Sequence, residues 1–514
     1  MHTRTLALNV LSAALLALAT GITPAPAQAE AGHVSAVFSA EYVQHLASDL
    51  AKKPFVAPEE AVPERWGNIG YDQYRDIRFR PEQAIWRGER RNFELHLLPA
   101  AWLYKIPVSI HVVTGGIARP IQPDNALFEF GSLAGRPAAD TAPIGFSGLR
   151  INGPINRPGV FDEIVVFQGA SYFRGVSRGQ AYGLSARGLS IDTAQPAGEE
   201  FPFFRSFWVE TPEPSSRKLV VHGLLNSPSV TGAYKFTITG GAPTTVDVDV
   251  KLFTRRDLFH VGIAPLTSMF LFSSIDRARV SDFRPAVHDS DGLAIANAAG
   301  ERIWRPLANP KRLQVSVFSV RDVTAFGLLQ RRRSFSDYED LEASYERRPS
   351  AWIEPRGSWG DGSVQLIEIP SEEEIHDNIV AAWRPLEPYR KDQVYTFGYR
   401  VSWPGDVPAP QLATVRNTFS GLANGADRKN NAIRYVVDFV GSGLAKARDL
   451  PKAALNATAG KVSEPVVERN PNTRGVRVNF VLTPGQSELV ELRLELRSDD
   501  NKIISEVWLS RWTK

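Results

Sequence analysis

Hydrophobic and polar residues alternate with a period of two along much of this chain. Val246-Asp-Val-Asp-Val-Lys-Leu-Phe253 and Val490-Glu-Leu-Arg-Leu-Glu-Leu-Arg497 are the cleanest runs. Such alternation predicts half-buried antiparallel strands. Turn signals separate the runs: Asn152-Gly-Pro, Arg157-Pro-Gly, Gly240-Gly, Asn472 with Gly475, and Pro484-Gly485. Short strands punctuated by Gly and Pro indicate sandwiches or barrels. Two segments break the period. Ala40 to Lys53 reads as a short helix. Ser336 to Arg347 (SDYEDLEASYER) reads as a second, its acidic start and basic end complementing the helix dipole.

The Pro-rich stretch Pro404-Gly-Asp-Val-Pro-Ala-Pro410 is the best boundary. It predicts a large antiparallel β-sandwich over residues 30–403, a linker at 404–411, and a second domain over 412–514. That last part carries strand patterns at Ala432–Val440, Val476–Leu482, Leu489–Arg497 and Ile503–Leu509. Their number and spacing suit an immunoglobulin-like β-sandwich without its disulfide. The fold class is therefore mainly β, two sandwiches in series. Residues 1–29 read as a signal peptide rather than structure. Arg4 precedes the apolar run Leu6 to Ala19, and Ala27-Gln28-Ala29 forms an A-x-A cleavage site. No twin arginine precedes the apolar run, so the Sec route to the periplasm is expected, with cleavage near Ala29.

Composition narrows the chemistry. With no cysteine among 514 residues, thiolate nucleophiles, iron–sulfur clusters and Cys-based zinc sites are excluded. Lys+Arg number 59 against 56 Asp+Glu, and the basic residues are scattered, so no nucleic-acid partner is implied. Gly175-Val-Ser-Arg-Gly179 matches the G-x-S-x-G nucleophile elbow, but the residues after it carry no helical stripe, so Ser177 is not read as a nucleophile. No P-loop, dinucleotide fingerprint or H-E-x-x-H pair is present; no metal and no cofactor are expected.

Two acidic segments remain. Arg284-Pro-Ala-Val-His288-Asp289-Ser-Asp291-Gly292 is followed by Glu301-Arg302-Ile-Trp304-Arg305; Glu372-Glu-Glu374-Ile-His376-Asp377-Asn378 is followed by Trp383-Arg-Pro. Each sets an aspartate after a histidine, near Trp and Arg. Carboxyls beside aromatics suit glycoside cleavage, one protonating the leaving oxygen while another activates the acceptor. Turn and cap chemistry explains the same residues without any catalysis. A third cluster, Trp352-Ile-Glu-Pro-Arg356-Gly-Ser-Trp359, packs Trp, Glu and Arg into a Gly/Pro-rich loop.

The same segments carry a resemblance. Tyr71-Asp-Gln-Tyr-Arg-Asp-Ile-Arg-Phe-Arg80-Pro, Val166 to Arg174, Tyr182 to Gly188, His288 to Gly292, Arg348 to Gly357 and Asp377 to Val380 closely resemble the periplasmic glucan biosynthesis proteins G and D (OpgG/OpgD, also MdoG/MdoD). The Sec-type signal resembles the G branch. The likeness runs from about residue 35 to the C-terminus and implies a large sandwich of the galactose-mutarotase type, an immunoglobulin-like domain, and a role in making osmoregulated periplasmic glucans. It implies an inverting endo-β-1,2-glucanase. An inverting transglycosylase that closes the glucan ring through an α-1,6 bond is an alternative, and a non-catalytic glucan-binding scaffold for the membrane glucan synthase is another.

Carried residue by residue, the resemblance makes Asp377 the general acid and Asp289 the general base. Tyr345 matches a tyrosine lining the cleft; Arg356, Trp359, Trp304 and Arg305 are expected subsite contacts, with Glu374, Asp291 and His288 completing the glucan-binding set. Burial or the like charge of Glu374 is expected to raise the pKa of Asp377. The implied partners are β-1,2-glucan, the inner-membrane glucan synthase, and a second copy of the chain as a homodimer. One departure concerns a cleft-closing aromatic loop of the family. The matching stretch, Asn417 to Asn431, is shorter and has only Phe419.

Overall fold

Thr244–Thr254 alternates buried and half-buried side chains along its whole length, as its Val-Asp-Val-Asp pattern requires. It lies inside a fifteen-stranded sheet, antiparallel to Val230–Thr239 on one side and Val394–Trp403 on the other. The computed structural model describes residues 36–138, 141–277, 280–407, 411–425 and 431–514. The expected signal peptide, residues 1–29, lies outside them. Among the described residues no helix is long and apolar enough to cross a membrane. The fold is mainly β, built of antiparallel sheets.

From Val394–Trp403 the large sheet continues through Ala351–Arg356, Val323–Leu329, Gly292–Asn297 and Arg302–Pro306. There a parallel pairing, Ile303 with Val507 and Trp304 with Trp508, adds Val507–Thr513. Leu489–Arg497 and Lys452–Ala457 complete that end. A ten-stranded sheet packs against it, with Val261–Ser268 between Ile379–Pro385 and Ser185–Arg187, then Tyr172–Gly175, Val160–Gln168 and Phe146–Arg157. Aromatics join the two faces: Phe167 meets Phe236 at 4.9 Å and Phe173 meets Trp403 at 6.1 Å. Such pairs bury large apolar areas in directional contacts.

The G-x-S-x-G segment belongs to this packing. A Cβ on Gly175 would stand 2.4 Å from the Trp403 ring. The buried Ser177 hydroxyl donates to the Trp403 carbonyl and accepts from the Thr244 amide at 2.8 Å. That serine is committed to the core.

Beyond the stretch 404–411, whose residues 408–410 are not described, Thr414–Leu422, Ile433–Val440 and Gly475–Thr483 form a further sheet facing the end of the large one. Tyr435 and Phe480 stack at 5.3 Å, and both meet the edge of Trp508, at 5.8 and 6.0 Å. Residues 35–514 form one compact unit. The expected strand Ile503–Leu509 is displaced to Val507–Thr513, because Ile503 and Ser505 make only isolated bridges to Arg497 and Ala413. Of the Asn417–Asn431 stretch, residues 417–422 are strand and Phe419 lies under Arg477 at 5.8 Å; residues 426–430 are not described.

The first helix forms at Ala40–Ala51, and the Thr231 hydroxyl donates to its Ala47 carbonyl. The expected helix at Ser336–Arg347 does not form. Two 3₁₀ turns, Phe335–Asp337 and Tyr345–Arg347, flank left-handed residues Glu339 (φ 56°) and Ser344 (φ 46°). Its acidic residues serve other bonds: Asp340 caps the amides of Glu342 and Ala343 and binds Arg284. Short polar side chains that bond nearby backbone compete with helix in this way.

Candidate active site

Asp377 ends the loop that joins Asp361–Glu368 to Ile379–Pro385, and its neighbour Asn378 fixes that loop. The buried Asn378 side chain accepts from the Phe270 amide (2.8 Å) and donates to the carbonyls of Phe270 and Ile369 (3.0 Å each). The Asp377 side chain is open to solvent yet walled by protein. Burial raises its pKa above the usual carboxylate range against the opposing pull of Arg174, Arg348 and Arg187.

Asp289 follows the short strand Val287–His288, and its amide is fixed on the Met269 carbonyl at 2.8 Å. Its side chain is buried and accepts a hydrogen bond from Arg348. Burial raises this pKa too; Arg348 opposes the rise, and the charge of Asp377 adds to it. The two carboxyls therefore share one electrostatic site. Arg348 acts on both, and its guanidinium lies over the Tyr345 ring at 4.2 Å. Tyr345 is buried, with its phenol pushed up by burial.

A cleft of about 590 Å³ lies over the ten-stranded sheet. Tyr172 and Arg174, both electrostatic neighbours of Asp377, line it together with Tyr74, Arg75, Tyr104 and Tyr182. Beside it the Arg187 guanidinium sits between the rings of Tyr172 and Phe201, 5.1 Å from each, and pairs with Glu199 at 2.6 Å. Two carboxyls with raised pKa values, an arginine that acts on both and a nearby tyrosine-lined groove supply groups suited to acid–base chemistry. Among the described residues no group of three or more His, Asp or Glu could hold a metal ion.

Residues 38–512 match the family model described as "Periplasmic glucan biosynthesis protein, MdoG". The chain belongs to this family. It is 47% identical over 477 residues to a glucans biosynthesis protein G of Vibrio cholerae, covering 93% of this chain and 87% of that one. A protein G of Bradyrhizobium diazoefficiens is 46% identical over 498 residues (96% and 97% of the two chains), and one of Shewanella frigidimarina is 46% identical over 482 residues (93% and 85%). Membership in the MdoG family gives the chain a role in periplasmic glucan biosynthesis and a periplasmic location.

In this MdoG-family chain the other expected site residues divide sharply. Glu374 is near, facing Tyr345, but its carboxylate is taken by Arg284 at 2.8 Å, which also binds Asp282 and Asp340. Burial, not the like charge of Glu374, raises Asp377. His288 is fully buried behind Asp289, stacked on Phe270 at 5.4 Å and bonded to Gln330 at 2.9 Å. Burial lowers its pKa to about 4. Burial pushes Asp291 up, but His288, Arg332 and the amides of Arg331 and Arg332 hold it below the usual range, as a structural anion.

Four expected subsite contacts do not reach the cleft. Trp304 is buried under the Arg331 guanidinium at 3.6 Å, in the core beside Trp508. Arg305 is 2% exposed and paired with the buried Glu368 at 3.1 Å, so neither residue faces a glucan. Arg356 lies at the far end of Ala351–Arg356, about 17 Å along the strand from Ala351, and pairs with Asp249. Trp359 donates to the Gly398 carbonyl at 3.2 Å and packs on Trp383, at that same end. The residues that do converge on the carboxyls, Arg174, Arg187 and Arg348, went unassigned in the sequence reading. Each stands in one of the quoted motifs, which was the available signal.

Proposed function

We propose that this protein cleaves β-1,2-glucan by an inverting mechanism, with Asp377 as general acid and Asp289 as general base. The observation that supports it most is a pair of carboxyls with raised pKa values, Asp289 buried and Asp377 open to solvent, that both feel Arg348 beside a tyrosine-lined cleft. Coupled carboxyls titrate as a pair, so one proton is held between them over part of the pH range. In this reading the shared proton rests on Asp377 when the substrate binds, and the hydrogen bond from Arg348 supports Asp289 as the anion. Asp377 then protonates the glycosidic oxygen as its bond to C1 breaks. Asp289 takes the proton of the incoming acceptor, directly or through a substrate hydroxyl. Tyr74, Tyr104 and Tyr172 offer aromatic rings to successive sugars.

The test is incubation of the purified protein with linear β-1,2-glucan, with products read by mass spectrometry and anomeric NMR. Shorter linear products released in the α-anomeric form are expected, and Asp377→Asn should abolish them while glucan binding persists. Release in the β-anomeric form, or undiminished turnover in Asp377→Asn and Asp289→Asn, refutes the assignment. Products lighter by one water with an α-1,6 signal would identify a ring-closing transglycosylase. Intact glucan with binding retained would identify a scaffold for the membrane synthase.

A further inference from the structure

A polar chain with few exposed members runs from the last strand of the large sheet to the Asp289 loop. It begins at Glu506, which is fully buried just before Val507–Thr513. The Glu506 carboxylate meets Arg331 as a two-pronged fork, at 2.7 and 2.8 Å, and accepts from the Val415 amide at 3.0 Å. Arg331 is clamped further by the Trp304 ring on one face and by the Val415 carbonyl. With its side chain held, Arg331 presents its own amide to Asp291 Oδ2 at 2.6 Å, and the Arg332 amide adds a second bond at 3.0 Å. Gln330, one residue earlier, accepts or donates at three points: His288 Nδ1 (2.9 Å), the His288 carbonyl (2.9 Å) and the Tyr345 carbonyl (3.3 Å). Residues 330–332 thus grip both sides of Asp289 and the turn that carries Tyr345.

We propose that Glu506 is a positioning residue for the reaction, fixing the Asp289 loop through Arg331 and Asp291 although it touches no substrate. This rests on the reading of Asp289 as the base. A two-pronged arginine–carboxylate pair fixes orientation as well as distance, and supporting shells of this kind hold reacting groups in place. The buried ionic pair is a poor source of stability compared with a well-packed apolar pair. Its geometry is what an apolar pair could not supply.

Two variants separate position from stability. Glu506→Gln breaks the charge match and leaves Arg331 buried without its anion. Glu506→Gln/Arg331→Met removes the paired charges, leaves Arg302 beside the site, 4.0 Å from Glu506 Oε1, and should restore the melting temperature part of the way toward wild type. With linear β-1,2-glucan, kcat is expected to fall at least tenfold in both variants with KM within twofold. Recovery of kcat along with the melting temperature in the double variant would overturn the proposal, as would unchanged kcat in Glu506→Gln. Hydrogen exchange at residues 287–292 gives a readout independent of turnover. It should quicken about tenfold in both variants, and unchanged exchange overturns the proposal. A wild type that leaves glucan intact would sink the hydrolase reading alone, and the exchange result would then decide whether Glu506 holds the loop.

Discussion

Replacing Asn378 by Ala tests how Asp377 is held. The change leaves the Phe270 amide and the carbonyls of Phe270 and Ile369 without their partner. At about 1 kcal/mol net for each bond, the loss comes to about 3 kcal/mol. Unfolding entropy of roughly 2.1 cal/mol/K per residue, applied to residues 35–514, gives about 1 kcal/mol/K. The melting temperature should therefore drop by about 3 °C, read by calorimetry. The larger effect should be catalytic, because the loop freed by this substitution carries the acid itself. A displacement of about 1 Å in a reacting group costs up to ~100-fold, so kcat on linear β-1,2-glucan should fall about 10- to 100-fold with KM changed much less. A lowered melting temperature with kcat within twofold of wild type would refute the idea that Asn378 sets the acid. Asn378→Asp is the companion variant. It keeps the acceptor for the Phe270 amide but sets an oxygen against two carbonyls, so it should also lose activity.

Four further outcomes follow from the same geometry. Activity should decline as pH rises through the raised pKa of Asp377, since the acid must keep its proton; a pH–rate profile whose alkaline limb coincided with an ordinary carboxylate would contradict this. The raised folded pKa also means that Asp377 favours folding most below the ordinary carboxylate pKa and loses that contribution as pH rises through the folded value. Asp377→Asn should therefore melt no lower than wild type at pH 7, and a clear drop would argue for a structural aspartate. Arg305→Met, by stranding the buried Glu368, should cost roughly 3–5 kcal/mol in denaturant titration, with KM for glucan unmoved in the folded fraction. Arg356→Ala should change neither kcat nor KM by more than twofold, and a tenfold rise in KM would return that residue to the substrate path.

The strand content was legible because burial on one face leaves a period of two in the side chains, as in Thr244–Thr254. The carboxyls were legible as motifs, since the loop residues around Asp289 and Asp377 are local in sequence. Convergence was not legible. Arg174 and Arg187 come together because Tyr172–Gly175 pairs with Ser185–Arg187, and Arg348 joins them from a separate loop. Nothing in the spacing along the chain encodes that sheet order. The same blindness misplaced Trp304 and Arg305: Trp and Arg adjacent in sequence suggested sugar contacts, whereas a guanidinium over an indole and an arginine on a buried glutamate fasten a core. The failed helix at Ser336–Arg347 shows the reverse case. Its charge gradient was real, but the acidic side chains were spent on turns and on Arg284.

The parallel seam of Ile303–Trp304 against Val507–Trp508 has a consequence for the order in which this protein is assembled. The two partners lie about 200 residues apart, and contacts of such separation are the slow, late ones in folding. Until the second arrives, Arg302–Pro306 offers unpaired backbone and Trp304 lacks part of its cover, a template for mispairing with other chains. Nascent chains cut short before the seam should therefore be prone to aggregation even though most of the sandwich sequence is already present. The last strand acts as a latch on the whole, and closing it also delivers Glu506 to Arg331.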